Sequence, residues 1–133
     1  MSSFRAFIAG FLTLAVLHVC VTCSEDDSGT QPTTEPTVNV DKIHEAAQRV
    51  EDAFRTGIPD SVRSVLTEEA GEQYAAFLPE ITGEMPTFAD VISSRRLVSY
   101  TSCYAEYAYD VEGRTLSFAM AGQDEDDWKL MRF

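Results

Sequence analysis

The sequence predicts one α+β domain, in which two to four helices precede an antiparallel meander of about four strands. Three observations predict it. Apolar residues recur at helical spacing from Ile43 to Leu78, and again over Phe88, Val91 and Ile92. From Arg96 onward the apolar period changes to two. Short glycine-containing or acidic turns separate the alternating runs. Helices first and strands after them give a sheet with helices on one face.

The first helix is defined by Ile43, Ala46, Ala47, Val50, Ala53 and Phe54, a single apolar stripe. Asp41 is its predicted N-cap, and Gly57 with Ile58-Pro59 stops it. Asp60 or Ser61 then caps a short second helix with Val62, Val65 and Leu66 inward. Thr67 is the predicted cap of a third helix, which carries Ala70, Tyr74, Phe77 and Leu78 on one face and ends at Pro79. Residues 82–86 break the pattern, and residues 87–94 give one more helical turn.

Leu97–Thr101 is the first predicted strand. Cys103, Ala105, Tyr107, Tyr109 and Val111 then alternate with Tyr104, Glu106, Ala108 and Asp110. Glu112-Gly113 makes a tight hairpin turn, after which Leu116, Phe118 and Met120 share a face. Residues Gln123–Asp127 read as an acidic turn, and Trp128–Phe133 as the last strand.

The chain organises as a signal segment over residues 1–23, a disordered tether over 24–39 and a single domain over 40–133. Arg5 precedes an uncharged apolar run from Ala6 to Leu17, and the chain turns polar at Ser24-Glu25-Asp26-Asp27. That order is a secretory signal. The apolar run is shorter than the ~20 residues a spanning helix needs, although an uncleaved anchor is the competing reading. Residues 24–39 contain one aliphatic side chain, Val38, and no aromatic, so they cannot bury enough apolar surface to offset ordering entropy. A flexible coil of that length spans about 20–24 Å.

The run Thr22-Cys23-Ser24-Glu25-Asp26-Asp27 resembles the processing site of bacterial lipoprotein precursors. The resemblance implies that Cys23 becomes an acylated N-terminus and that the head is held at the outer membrane or cell surface by lipid. Two or more acyl chains make a stable anchor where one is marginal. The site departs from the family pattern, with Cys20 at −3 and Thr22 at −1. Two alternatives stay open: Cys20 as the modified residue, with Leu17 at −3 but Val19 at −1, and ordinary cleavage giving a soluble periplasmic or secreted protein. If Cys20 is removed and Cys23 is lipidated or removed, only Cys103 remains, so no internal disulfide is available to the domain.

The formal charge is −12, from 22 acidic and 10 basic residues. Such a surface repels phosphate backbones, and Arg95-Arg96 is an isolated basic pair, so nucleic acid is excluded as a partner. A membrane reached through lipid, and an unidentified protein or small ligand, remain.

Two segments carry a further resemblance. Ala53–Val62 with Leu66-Thr67-Glu68-Glu69-Ala70, and the closing Asp127-Trp128-Lys129-Leu130, are similar to the opening and final strand of cystatin-like, nuclear-transport-factor-2-like domains. The resemblance implies a curved sheet wrapped around a long helix as a cone. In enzymes of that superfamily the cone holds an acid or base, but no such set carries over residue by residue.

Candidate chemistry is sparse. His44 is the single histidine beyond the signal segment and sits at the edge of the apolar stripe, so it reads as a surface residue. Cys103 has no cationic neighbour in sequence to activate it and reads as core packing. Asp124-Glu125-Asp126-Asp127 lacks the alternating ligands, central glycine and distal glutamate of a calcium loop, so it reads as a solvated hairpin tip. Tyrosines favour strands for packing reasons alone, but they also line pockets. Tyr107, Tyr109, Phe118 and Trp128 are the candidate pocket lining. The sequence thus reads as an envelope lipoprotein with a non-catalytic binding or structural head, needing neither metal nor cofactor. The alternative is a small-ligand isomerase, dehydratase or hydrolase using a cone-lining Tyr or an acid such as Asp110.

Overall fold

The computed structural model describes residues 37–124 and 126–133. The signal segment, Cys20, Cys23 and the tether up to residue 36 lie outside the described residues, as does Glu125. Among the described residues, four helices and a 3-10 turn are followed by a four-stranded antiparallel sheet in the order β1-β2-β3-β4, which is the α+β meander the sequence predicts.

Helix α1 spans Val40–Arg55. Its cap is Asn39, not Asp41: the Asn39 side chain accepts from the Asp41 backbone N–H at 3.1 Å. Both residues are good cap formers, and the choice falls where the chain enters the core, because Val38 already packs against it. Val38 and Asn39, within the segment read as tether, thus take part in packing and capping the domain. Gly57, at φ 65°, ends α1 in a left-handed turn that a side chain would strain.

Helix α2 spans Pro59–Val65 and starts on Pro59 rather than on an Asp60 or Ser61 cap. Proline at the first position forfeits an N–H that has no helical partner anyway. Helix α3 spans Glu68–Tyr74, and Thr67 caps it by accepting from the Ala70 N–H at 3.2 Å. The chain then tightens into a 3-10 turn at Leu78–Ile81. Helix α4 spans Met85–Ile92, so it begins earlier than the sequence pattern suggested. Pro86 looks like a breaker, but it lies in the first turn, where proline is tolerated.

The strands are β1 Arg96–Tyr100, β2 Tyr104–Val111, β3 Arg114–Asp124 and β4 Asp127–Arg132. Glu112 and Gly113 join β2 to β3 with φ of 50° and 78°. Two positive φ values make the mirror-image turn whose twist matches a hairpin. Strand β3 runs through Gln123 to Asp124, into the segment read as an acidic turn, because Gly122 and Asp124 still pair with Trp128 and Asp127.

The register sorts the side chains. Tyr107 faces Phe118, Ala105 faces Met120, and Met120 in turn faces Leu130. These residues belong to the same buried core as Ile43, Val50 and Phe54 of α1 and Met85 and Ile92 of α4. Burying one such side chain contributes about 1.5–3 kcal/mol. The opposite face is polar and self-paired. Arg96 and Thr115 both donate to Asp110, at 2.9 and 2.6 Å, while Ser117 and Arg132 donate to Glu106, at 2.7 and 3.3 Å. Cross-strand pairs of this kind stabilise a solvent-facing sheet surface modestly.

The two edges differ. Leu66 bridges to Leu130 in parallel, and the Thr67 N–H donates to the Leu130 carbonyl at 2.8 Å, so the α2–α3 connection lies along β4. Strand β1 is the other edge. It is five residues long, carries Arg96 and has a register shift between Leu97 and Ser99, features that discourage edge pairing.

Candidate functional site

The most elaborate side-chain arrangement among the described residues lies where α1 meets Tyr107 of β2 and the end of α4. His44, Gln48, Glu51 and Arg55 recur on α1 at intervals of four, three and four, so they form a polar stripe beside the apolar one. Tyr107 comes from β2. Arg95 comes from the turn between α4 and β1, and Asp90 from α4 itself.

Glu51 is the centre of the stripe and is only 8% exposed. It receives two guanidinium groups, Arg95 at 2.5 Å and Arg55 at 2.8 Å. Arg95 is almost as buried as Glu51. It also donates to Gln48 Oε1 at 3.0 Å and to the Ile92 carbonyl at 3.1 Å, so it closes the C-terminus of α4 as well. Arg55 reaches on to Asp90 at 2.6 Å. Burial opposes the Glu51 charge, but hydrogen bonds from Arg95 and Arg55 and their positive charges outweigh it. The carboxyl is held below its ordinary value. The Arg55 guanidinium is shifted upward by its bonds to Glu51 and Asp90.

Beside this clamp, the Tyr107 hydroxyl lies 2.7 Å from His44 Nδ1. Tyr107 is 1% exposed, whereas His44 is exposed. Burial pushes the Tyr107 phenol up to about 12, with the Arg95 charge pulling the other way. The phenol therefore keeps its proton at ordinary pH. With the imidazole neutral and its proton on Nε2, Tyr107 donates and Nδ1 accepts. Arg95 stands 6.0 Å from the centre of the Tyr107 ring, at the outer limit of a cation–π contact.

This arrangement can hold α1, α4 and β2 in one geometry. Its hydrogen-bonding groups are turned toward one another: the Arg95 donors go to Glu51, Gln48 and Ile92, and the buried Tyr107 hydroxyl goes to His44. The chemistry is that of a satisfied polar clamp at the rim of the core.

The four residues read as candidate pocket lining all lie in the helix-covered layer, between 1% and 4% exposed. Three are brought together. Tyr107 stacks on Phe118 at 5.2 Å and 15°, and Tyr109 tilts against Phe118 at 6.2 Å. Tyr109 also meets Phe88 edge-on at 5.9 Å, which joins it to a cluster of Phe54, Phe88, Tyr74 and Phe133. Burial raises the Tyr109 phenol to about 12. Trp128 instead packs on Gly122, where a Cβ would lie 3.0 Å from the indole ring. Asp110 is exposed on the opposite sheet face with Arg96 and Thr115, and hydrogen bonds from these two lower its pKa. It does not line the covered layer.

Two other readings change. Cys103 is half-buried at the β1–β2 turn rather than in the core, with its carbonyl accepting from Gly122 N–H at 3.0 Å. His44 is exposed as the sequence suggested, but it is also the hydrogen-bond partner of a core tyrosine. Sequence reasoning did not single out Glu51, and it noted Arg95 only as half of a basic pair with Arg96. The available signal was the recurrence of His44, Gln48, Glu51 and Arg55 along one line of α1, beside the apolar stripe.

Among the described residues no helix is long and apolar enough to cross a membrane. No group of three or more His, Cys, Asp or Glu among them is placed to hold a metal ion. Comparison with protein-family profiles, with curated proteins and with solved structures gives no match in any of the three.

Proposed function

We propose that this chain is an exported cell-envelope lipoprotein, anchored through Cys23, whose small acidic domain is a non-catalytic binding or structural module. The observation that carries the reading is the order of residues around Cys23. An uncharged apolar run from Ala6 to Leu17 comes before it, and Ser24-Glu25-Asp26-Asp27 with a polar, proline-containing stretch comes after it. The helices-then-meander order of the domain agrees with the cystatin-like, nuclear-transport-factor-2-like class that its sequence resembles, and we offer that class as the parent of the head.

The non-catalytic part is supported by what surrounds the polar residues. Tyr107, Tyr109 and Phe118 are packed against one another, and Glu51, Arg95 and Gln48 are engaged in holding helices together. A head of this kind acts through its surface.

Metabolic labelling with a palmitate analogue tests the anchor. The wild-type protein should incorporate label and fractionate with membranes, and Cys23→Ala should lose both. A wild type without label that fractionates as a soluble protein would overturn the lipid anchor in favour of simple secretion. Label retained in Cys23→Ala and lost in Cys20→Ala would move the anchor to Cys20.

A further inference from the structure

We draw no further inference here: the strongest candidate, the outer edge of β1 with its exposed Val98 and Tyr100, carries nothing because nothing in the structure shows what covers it.

Discussion

The hydroxyl of Tyr107, a residue with 1% of its surface exposed, is satisfied by His44 Nδ1 at 2.7 Å, so an exposed helix residue completes the hydrogen bonding of a core strand residue. The consequence is asymmetric. Tyr107→Phe removes the hydroxyl with its need for a partner and should cost about 0.5–1.5 kcal/mol. His44→Leu keeps the hydroxyl covered by an apolar side chain and leaves it without a partner, which should cost about 1–3 kcal/mol. The double variant should recover part of that loss, with a coupling of roughly 1 kcal/mol in urea unfolding. Additive single effects would show that the pair contributes no coupling.

Glu51 and Asp90 both bind Arg55, but in different surroundings. The Glu51–Arg95 pair is about 90% buried on both sides, whereas Asp90 and Arg55 are exposed. Glu51→Gln leaves a buried guanidinium short of its counter-charge and should destabilise the domain by about 2–3 kcal/mol, somewhat less than a fully enclosed pair would lose. Asp90→Asn should cost under about 1 kcal/mol, because exposed pairs are screened. Equal denaturation midpoints for the two variants would contradict this ranking.

Acid should weaken the same clamp. The Glu51 carboxyl lies below its ordinary 4.5 in the folded chain, so between the two values the unfolded chain binds the extra proton. Its stabilising effect is fully present above about 5. It declines as pH falls through 4.5 and is lost below the folded value. The wild type should therefore lose stability on the acid side more steeply than Glu51→Gln, measured as unfolding midpoint against pH. Asp110 shifts in the same direction through Thr115 and Arg96, so Asp110→Asn should remove a further part of the slope. Parallel curves for wild type and Glu51→Gln would remove Glu51 from the explanation.

Gly122 is occupied from above by its cross-strand partner. A Cβ there would meet three ring atoms of Trp128 at 3.0–3.2 Å, and the indole is itself buried. Gly122→Ala should cost about 1–3 kcal/mol through overpacking, although Ala otherwise suits a strand better than Gly. Adding Trp128→Leu should reduce the penalty of the Gly122 change, since the smaller side chain frees that space. A lowered thermal midpoint for the single variant, and a smaller Gly122 effect once Trp128 has been replaced, would establish the contact.

Much of the fold was legible because its signals are local and periodic. Ile43 to Phe54 repeats at helical spacing, Ala105 to Val111 alternates, and Glu112-Gly113 is a recognisable hairpin turn, so each element announces itself within a short window. Boundaries failed where two residues offered the same chemistry or one residue had two meanings. Asn39 and Asp41 both cap helices, and only the packing of Val38 separates them. Pro86 stops a helix from its interior but starts one from its first turn.

The clamp was harder to read. Arg95 meets Glu51 across a long sequence separation, and nothing local tells an arginine which carboxylate it will find. The same applies to His44 and Tyr107, whose meeting depends on how α1 is rotated over the sheet. Tyr107, Tyr109 and Phe118 could be grouped in advance because adjacent strands alternate together, whereas whether they enclose space or fill it depends on the helices above them.

The Thr67–Leu130 contact makes the molecule more than a helical layer resting on a sheet. Among the described residues it is where main chain of the helical half hydrogen-bonds main chain of the strand half, joining segments far apart in sequence. A side-chain core alone allows two layers to slide and repack, but a main-chain bond has a direction and a length. Here it sets the α2–α3 corner against a particular residue of β4. The helical and strand halves are thereby indexed to one another.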